Sequence, residues 1–128
     1  MDKTLDTQFA HLELQDDLLI AHYKKGIRIS LDIAKQIVKT RLNFTGSKPV
    51  LGLIYNEGVK KIDKDARDYL TSEEGTFGIT AVAYVLNNPF PFSSFFANFF
   101  VSISKTNLPV RIFSSEKPAL KWLAQFRK

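Results

Sequence analysis

The side chains able to do chemistry are few and scattered along the chain. Two histidines, His11 and His22, stand on either side of the polar stretch Gln15–Asp17, and there is no cysteine. Paired across a hairpin, the two imidazoles would approach one another. Without a carboxylate or thiolate beside them they make a poor metal site, so they read as ordinary strand histidines and no metal is expected. The lack of thiols removes disulfides, thiolate nucleophiles and cysteine-ligated metals together. Carboxylates recur at Asp63, Asp65 and Asp68, but Lys60, Lys61, Lys64 and Arg67 are interleaved with them. Mixed charge at that spacing reads as a solvated helix face. No serine sits in a G-x-S-x-G elbow, and no glycine-rich loop follows a strand. The apolar run Val50–Tyr55 ends at Asn56, where a phosphoryl-accepting receiver would need an aspartate. The expectation is therefore a non-enzymatic chain with no catalytic residue and no cofactor.

The other conspicuous feature is apolar. Six of the eleven phenylalanines fall in "NNPFPFSSFFANFF", residues 87–100. Pro89 and Pro91 hold an extended or turning approach, Ser93 is a good N-cap, and a helix is expected to run to about Lys105, with Asn107 and Pro109 stopping it. On such a helix Phe92, Phe95, Phe96, Phe99 and Ile103 share one face. That face is expected to lie on the small side chains Ala81 and Ala83 of the preceding strand, large against small. Phe100 points away from the stripe, and Phe90 sits in a proline-flanked loop. Phe90, Phe92 and Phe100 are the candidate surface for a partner or ligand, the first and last through exposure and Phe92 through a pocket beneath the helix.

The elements that would position these residues alternate in type. "HLELQDDLLIAHYK" reads as two short strands around a polar turn, an antiparallel hairpin. In "GIRISLDIAKQIVKTRLNFTG" Ser30 is a good N-cap and Asp32 lies in the first turn. Ile33, Ala34, Ile37, Val38 and Leu42 recur at helical spacing, and Gly46 closes the end. "KPVLGLIYN" is apolar on both faces, as a central parallel strand requires. A short helix follows, with Asp63 as N-cap and Ala66, Tyr69 and Leu70 on its apolar stripe. "GITAVAYVLNN" is the strongest strand of the chain. After the phenylalanine segment, "LPVRIFSS" reads as a strand and "EKPALKWLAQFRK" as a closing helix whose apolar residues are Leu120, Trp122, Leu123 and Phe126. The predicted order is β-β-α-β-α-β-α-β-α, an α/β fold with a mostly parallel mixed sheet, an N-terminal hairpin and about four helices. Arg111 on the last strand, on the face shared by Phe113, implies that part of one face or edge meets water.

A chain of 128 residues is expected to form one domain, with residues 1–8 loosely ordered. Net charge is +5, but the basic residues are spread out and diluted by aspartates. No nucleic-acid motif accompanies them, so no nucleic-acid partner is expected. The N-terminal stretch has no signal-peptide pattern, and no run approaches the length of a membrane-spanning segment. The expected location is the cytoplasm.

Taken together, the hairpin, the "PVLGLIYN" strand, the acidic-basic helix after it, the "ITAVAYVL" strand, the phenylalanine helix and the ending "PVRIFSSEKPALKWL" resemble a SpoIIAA-like STAS domain. More narrowly, the chain is similar to small uncharacterised bacterial STAS-like proteins ending in F-x-S-x-x-x-A-x-x-W-L, which Phe113, Ser115, Ala119, Trp122 and Leu123 match. The resemblance implies a non-catalytic regulatory or protein-interaction domain with a protein partner, or a homodimer. Among anti-sigma-factor antagonists of this kind, a serine at the start of the helix after the strand matching Val50–Tyr55 is phosphorylated. The corresponding loop here, with Asn56, Glu57, Gly58 and Asp63, has no hydroxyl, so that switch is expected to be absent. The alternative reading is a carrier or sensor of a small apolar ligand or lipid, held in a pocket lined by Phe92, Phe96 and Phe99.

Overall fold

Strands β2 (Ala10–Gln15) and β3 (Leu18–Tyr23) form the expected hairpin, with Gln15 opposite Leu18 and His11 opposite His22. A two-residue loop needs left-handed backbone, and Asp16 supplies it at φ 55°. A computed structural model of the chain describes residues 2–56, 58–86 and 105–127. The N-terminal segment is more ordered than expected: Lys3–Asp6 form strand β1, antiparallel to β2. The turn between them is tied by Thr7, whose Oγ1 accepts from the Phe9 and Ala10 amides and donates to the Ala10 carbonyl. That local hydrogen bonding is what a composition-based reading of a polar terminus overlooks.

Two further short strands were also missed. β4 (Ile27–Ile29) and β6 (Val59–Ile62) pair in parallel as a separate two-stranded sheet. Between them come helix α1 (Leu31–Thr45) and strand β5 (Val50–Tyr55). As the sequence predicts, Ser30 caps α1, its Oγ accepting from the Ile33 amide, and Gly46 closes it at φ 67° with its N–H on the Leu42 carbonyl. Helix α2 (Lys64–Leu70) has Asp63 at its N-cap, although the carboxylate makes no capping hydrogen bond and faces Lys61 at 3.9 Å. Strands β7 (Ile79–Val85) and β8 (Val110–Phe113) and helix α3 (Glu116–Ala124) complete the described residues.

The main sheet has the order β1-β2-β3-β5-β7-β8. β5 lies at its interior, parallel to both β3 and β7, which explains its apolar residues on both faces. β8 is an edge strand, and Arg111 there is exposed, with its guanidinium over the Phe113 ring. This is a mixed α/β fold with a mostly parallel sheet, as predicted. Three helices are described where about four were expected. Residues 93–104 of the expected helix, with Phe95, Phe96, Phe99, Phe100 and Ile103, lie outside the described residues, as do Phe90 and Phe92.

One face of the sheet packs Leu18, Ile20, Leu51, Leu53, Ala81, Ala83 and Val85 against Ala119 and Leu123 of α3. Phe113, Trp122 and Phe126 close its flank, with Trp122 edge-on to Phe126 at 4.9 Å. Leu120, expected on the apolar stripe, instead faces outward at 36% exposure. The stripe is narrow because Ala119 and Leu123, one turn apart, suffice to seat the helix. The other face packs Ala10, Leu12, Leu19, Ala21 and Val50 against Phe44 of α1. A third cluster, Ile29, Ala34, Val59, Ile62 and Ala66, joins α1, α2 and the small sheet.

Candidate functional site

The residues singled out in the sequence go to three places. Asp6, His11, His22 and Tyr55 form one row across β1, β2, β3 and β5. His11 Nδ1 lies 3.4 Å from the Asp6 carboxylate, and His22 stacks on Tyr55 instead of turning towards His11. Lys24 holds the other Asp6 oxygen at 3.0 Å, and this pairing keeps the Asp6 carboxyl below its usual range. No group of three or more metal-ligating side chains gathers among the described residues. The second place is the α2 surface, where Lys64 pairs with Asp68 at 3.0 Å one turn on, a solvated face as expected. The third is the loop at the C-terminal end of β5. Glu57 lies outside the described residues. Gly58 sits against the β3–β4 turn: its carbonyl accepts from the Gly26 amide at 2.6 Å, and a Cβ there would come within 2.7 Å of the Lys24 carbonyl oxygen. Asn56 is buried, and its Oδ1 has no hydrogen-bond partner.

Asn56 leads to a cavity of about 130 Å³ between the second sheet face and helices α1 and α2. Its floor comes from alternate residues of the strands, Leu12, Leu19, Ala21, Ile54 and Val82, because in a strand every second side chain shares a face. Ile37 and Val38 of α1 and Leu70 of α2 form the roof. Small Ala10 and Ala21 on the floor leave the space that larger residues would fill.

The polar groups in this apolar chamber are unusual. Arg41 occupies the buried stripe of α1, three residues after Val38 and seven after Ala34, and is only 8% exposed. Its Nη2 donates to the Gly75 carbonyl at 3.2 Å, while Nη1 has no partner. The turn that presents this carbonyl depends on glycine, since a Cβ at position 75 would collide with the Tyr69 carbonyl. Burial pulls the Arg41 guanidinium below its ordinary range, yet an arginine side chain stays charged inside proteins. Arg67 donates from Nη1 to the Ile62 carbonyl at 3.0 Å and leaves a buried Nε without a partner. Tyr23 and Tyr84 also line the cavity, and loss of hydration pushes the Tyr23 hydroxyl up to about 12 and the Tyr84 hydroxyl higher still. No Asp or Glu is among the described residues that line it. Chemically this is a place to hold something, with positive charge and neutral hydroxyls set in an apolar wall.

The sequence reading missed Arg41, although a signal was present: an arginine on the same helix face as Ala34 and Val38, within an apolar stripe, is out of place on a surface. The cavity also lies on the opposite face of β7 from Ala81 and Ala83, away from the pocket expected beneath the phenylalanine helix.

This mixed α/β architecture, with a mostly parallel sheet flanked by helices, matches a SpoIIAA-like fold. A crystal structure of an uncharacterised protein of the DUF3478 family with a SpoIIAA-like fold, from Shewanella loihica PV-4, superposes with a TM-score of 0.61. The two share 14% identity, and the match covers 89% of this chain and 91% of that one. Residues 12–127 match the family described as Domain of unknown function (DUF7793), and the chain belongs to that family. No curated protein matches the sequence. No helix among the described residues is long and apolar enough to cross a membrane.

Proposed function

We propose that this chain is a non-enzymatic, SpoIIAA-like sensor module of the cytoplasm, whose input is a small molecule held between the sheet and helices α1 and α2. The observation that carries this reading is Arg41: a charged side chain more than nine-tenths buried, lining an apolar cavity, with one guanidinium nitrogen unpartnered. A buried charge left in this state costs stability unless something satisfies it, and a bound molecule would do so. The reading stays non-catalytic because the described polar side chains that line the cavity are tyrosines, threonines, arginines and an amide, with no carboxylate, histidine or thiol to act as a base or activated nucleophile. The output is contact with a protein partner, or with a second copy of the chain. That part rests on the resemblance to STAS domains.

The test is methyl-detected NMR of the full chain against a panel of single-ring compounds. Shifts confined to Ile37, Val38, Leu70, Ile54 and Val82, saturable and accompanied by a raised melting temperature, are expected. Ala21→Leu should fill the floor of the cavity and abolish those shifts in a protein that still gives a folded spectrum. If no compound moves these methyl groups, the cavity is only a packing defect.

A further inference from the structure

We infer that the molecule held in this cavity is a small monocarboxylate with an apolar body about one ring in size, its carboxylate seated on Arg41. This inference rests on the sensor reading above and adds the ligand's charge and size.

Charge comes first. Arg41 brings a full positive charge into a space whose described lining contains no carboxylate, and its Nη2 donates to the neutral Gly75 carbonyl. The nearby tyrosine Tyr23 cannot serve as counter-ion, since its hydroxyl holds its proton through the physiological range. The guanidinium is a planar fork, and a carboxylate is the anion that matches one free edge of it.

Size and wall chemistry narrow the body of the ligand. About 130 Å³ is close to an apolar cavity that takes up one benzene molecule and well below the several hundred Å³ of a typical cofactor or drug pocket. A nucleotide or a long acyl chain would not fit without rearranging the helices. Leu12, Leu19, Ile54, Val82, Ile37 and Val38 offer hydrocarbon to the body of the ligand.

The experiment compares benzoate, benzyl alcohol and toluene as probes, titrated into the full chain and followed on the cavity methyl groups. Benzoate should bind at least about tenfold more tightly than benzyl alcohol, the range expected of one charge-assisted contact. In Arg41→Met the preference should vanish while toluene still binds, because the substitution keeps the volume and removes the charge. Arg41→Lys, which keeps the charge without the fork, should retain part of the preference and serves if the methionine variant does not fold. Equal binding of all three probes to the unmodified chain would overturn the carboxylate and leave the sensor reading standing. A benzoate preference that survives Arg41→Met would place the anion elsewhere and also overturn it. Binding of none of the three would remove the ligand and the sensor reading together.

Discussion

His22 and Tyr55 stack ring on ring across the parallel strands β3 and β5, their centroids 4.2 Å apart and their planes within 5°. The stack takes His22 away from His11, its neighbour across the hairpin, and turns an expected histidine pair into two separate contacts. Stacked aromatic pairs contribute about 0.5–1.5 kcal/mol beyond the area they bury. A double-mutant cycle with His22→Ala and Tyr55→Ala in urea unfolding should give a coupling energy of about 0.5–1 kcal/mol. A coupling near zero would mean the rings merely lie side by side.

Three tyrosines make stability fall at high pH. Loss of hydration raises Tyr23 and Tyr55 to about 12 and Tyr84 further, with the Glu116 carboxylate adding to the effect on Tyr55. In the unfolded chain a tyrosine titrates near its ordinary value of about 10. Between those values the folded state holds more protons than the unfolded one, so stability decreases as pH rises. The contribution is fully present below about pH 10 and is lost as pH climbs through about 12. Urea midpoints measured from pH 8 to pH 12 should fall across that window, and Tyr23→Phe should make the fall shallower. Identical slopes for the variant and the unmodified chain would show that the Tyr23 hydroxyl is hydrated.

Gly58→Ala should destabilise the fold by about 1–3 kcal/mol, the cost of forcing a methyl group into a filled space. Its Cβ would meet the Lys24 carbonyl oxygen at 2.7 Å and the Tyr23 carbonyl oxygen at 2.8 Å, both backbone atoms with little freedom to yield. Chemical denaturation is the measurement, and a change under about 0.5 kcal/mol would mean that the loop after β5 does not rest on the β3–β4 turn.

The orientation of α3 can be tested with two leucines in one helix. Leu123 is 1% exposed and Leu120 is 36% exposed. Leu123→Ala should cost about 2–5 kcal/mol by opening a cavity under the helix. Leu120→Ala should cost less, about 1 kcal/mol, since part of its surface already meets water and its loss leaves no closed cavity. Similar losses from both would mean that something covers Leu120.

Much of the architecture was written in short-range pattern. "VLGLIY" and "ITAVAYV" are apolar on both sides of the strand, and such segments have nowhere to go but the interior of a parallel sheet. Ser30 and Gly46 bracket α1 because each acts on backbone groups within a turn of itself. Gln15–Asp17 marks a turn for the same local reason. Arg111 announced that part of a face or an edge of the sheet meets water, because a full charge on a strand must be solvated.

What the sequence by itself could not determine depends on pairing across distance. β4 and β6 are strands of three and four residues, too short for periodicity to register, and each becomes a strand only by meeting the other some thirty positions away. β1 is exposed at all four residues and exists because β2 offers it an edge. The position of Arg41 was legible, but not its meaning. Whether an arginine in phase with an apolar stripe reaches solvent or stays inside was decided by the turn after α2, which brings the Gly75 carbonyl to it across 34 residues. The cavity is likewise a property of no segment. It is the space left when two small alanines on the sheet face two helices seated by other residues, and only the assembled layers fix how large that space is.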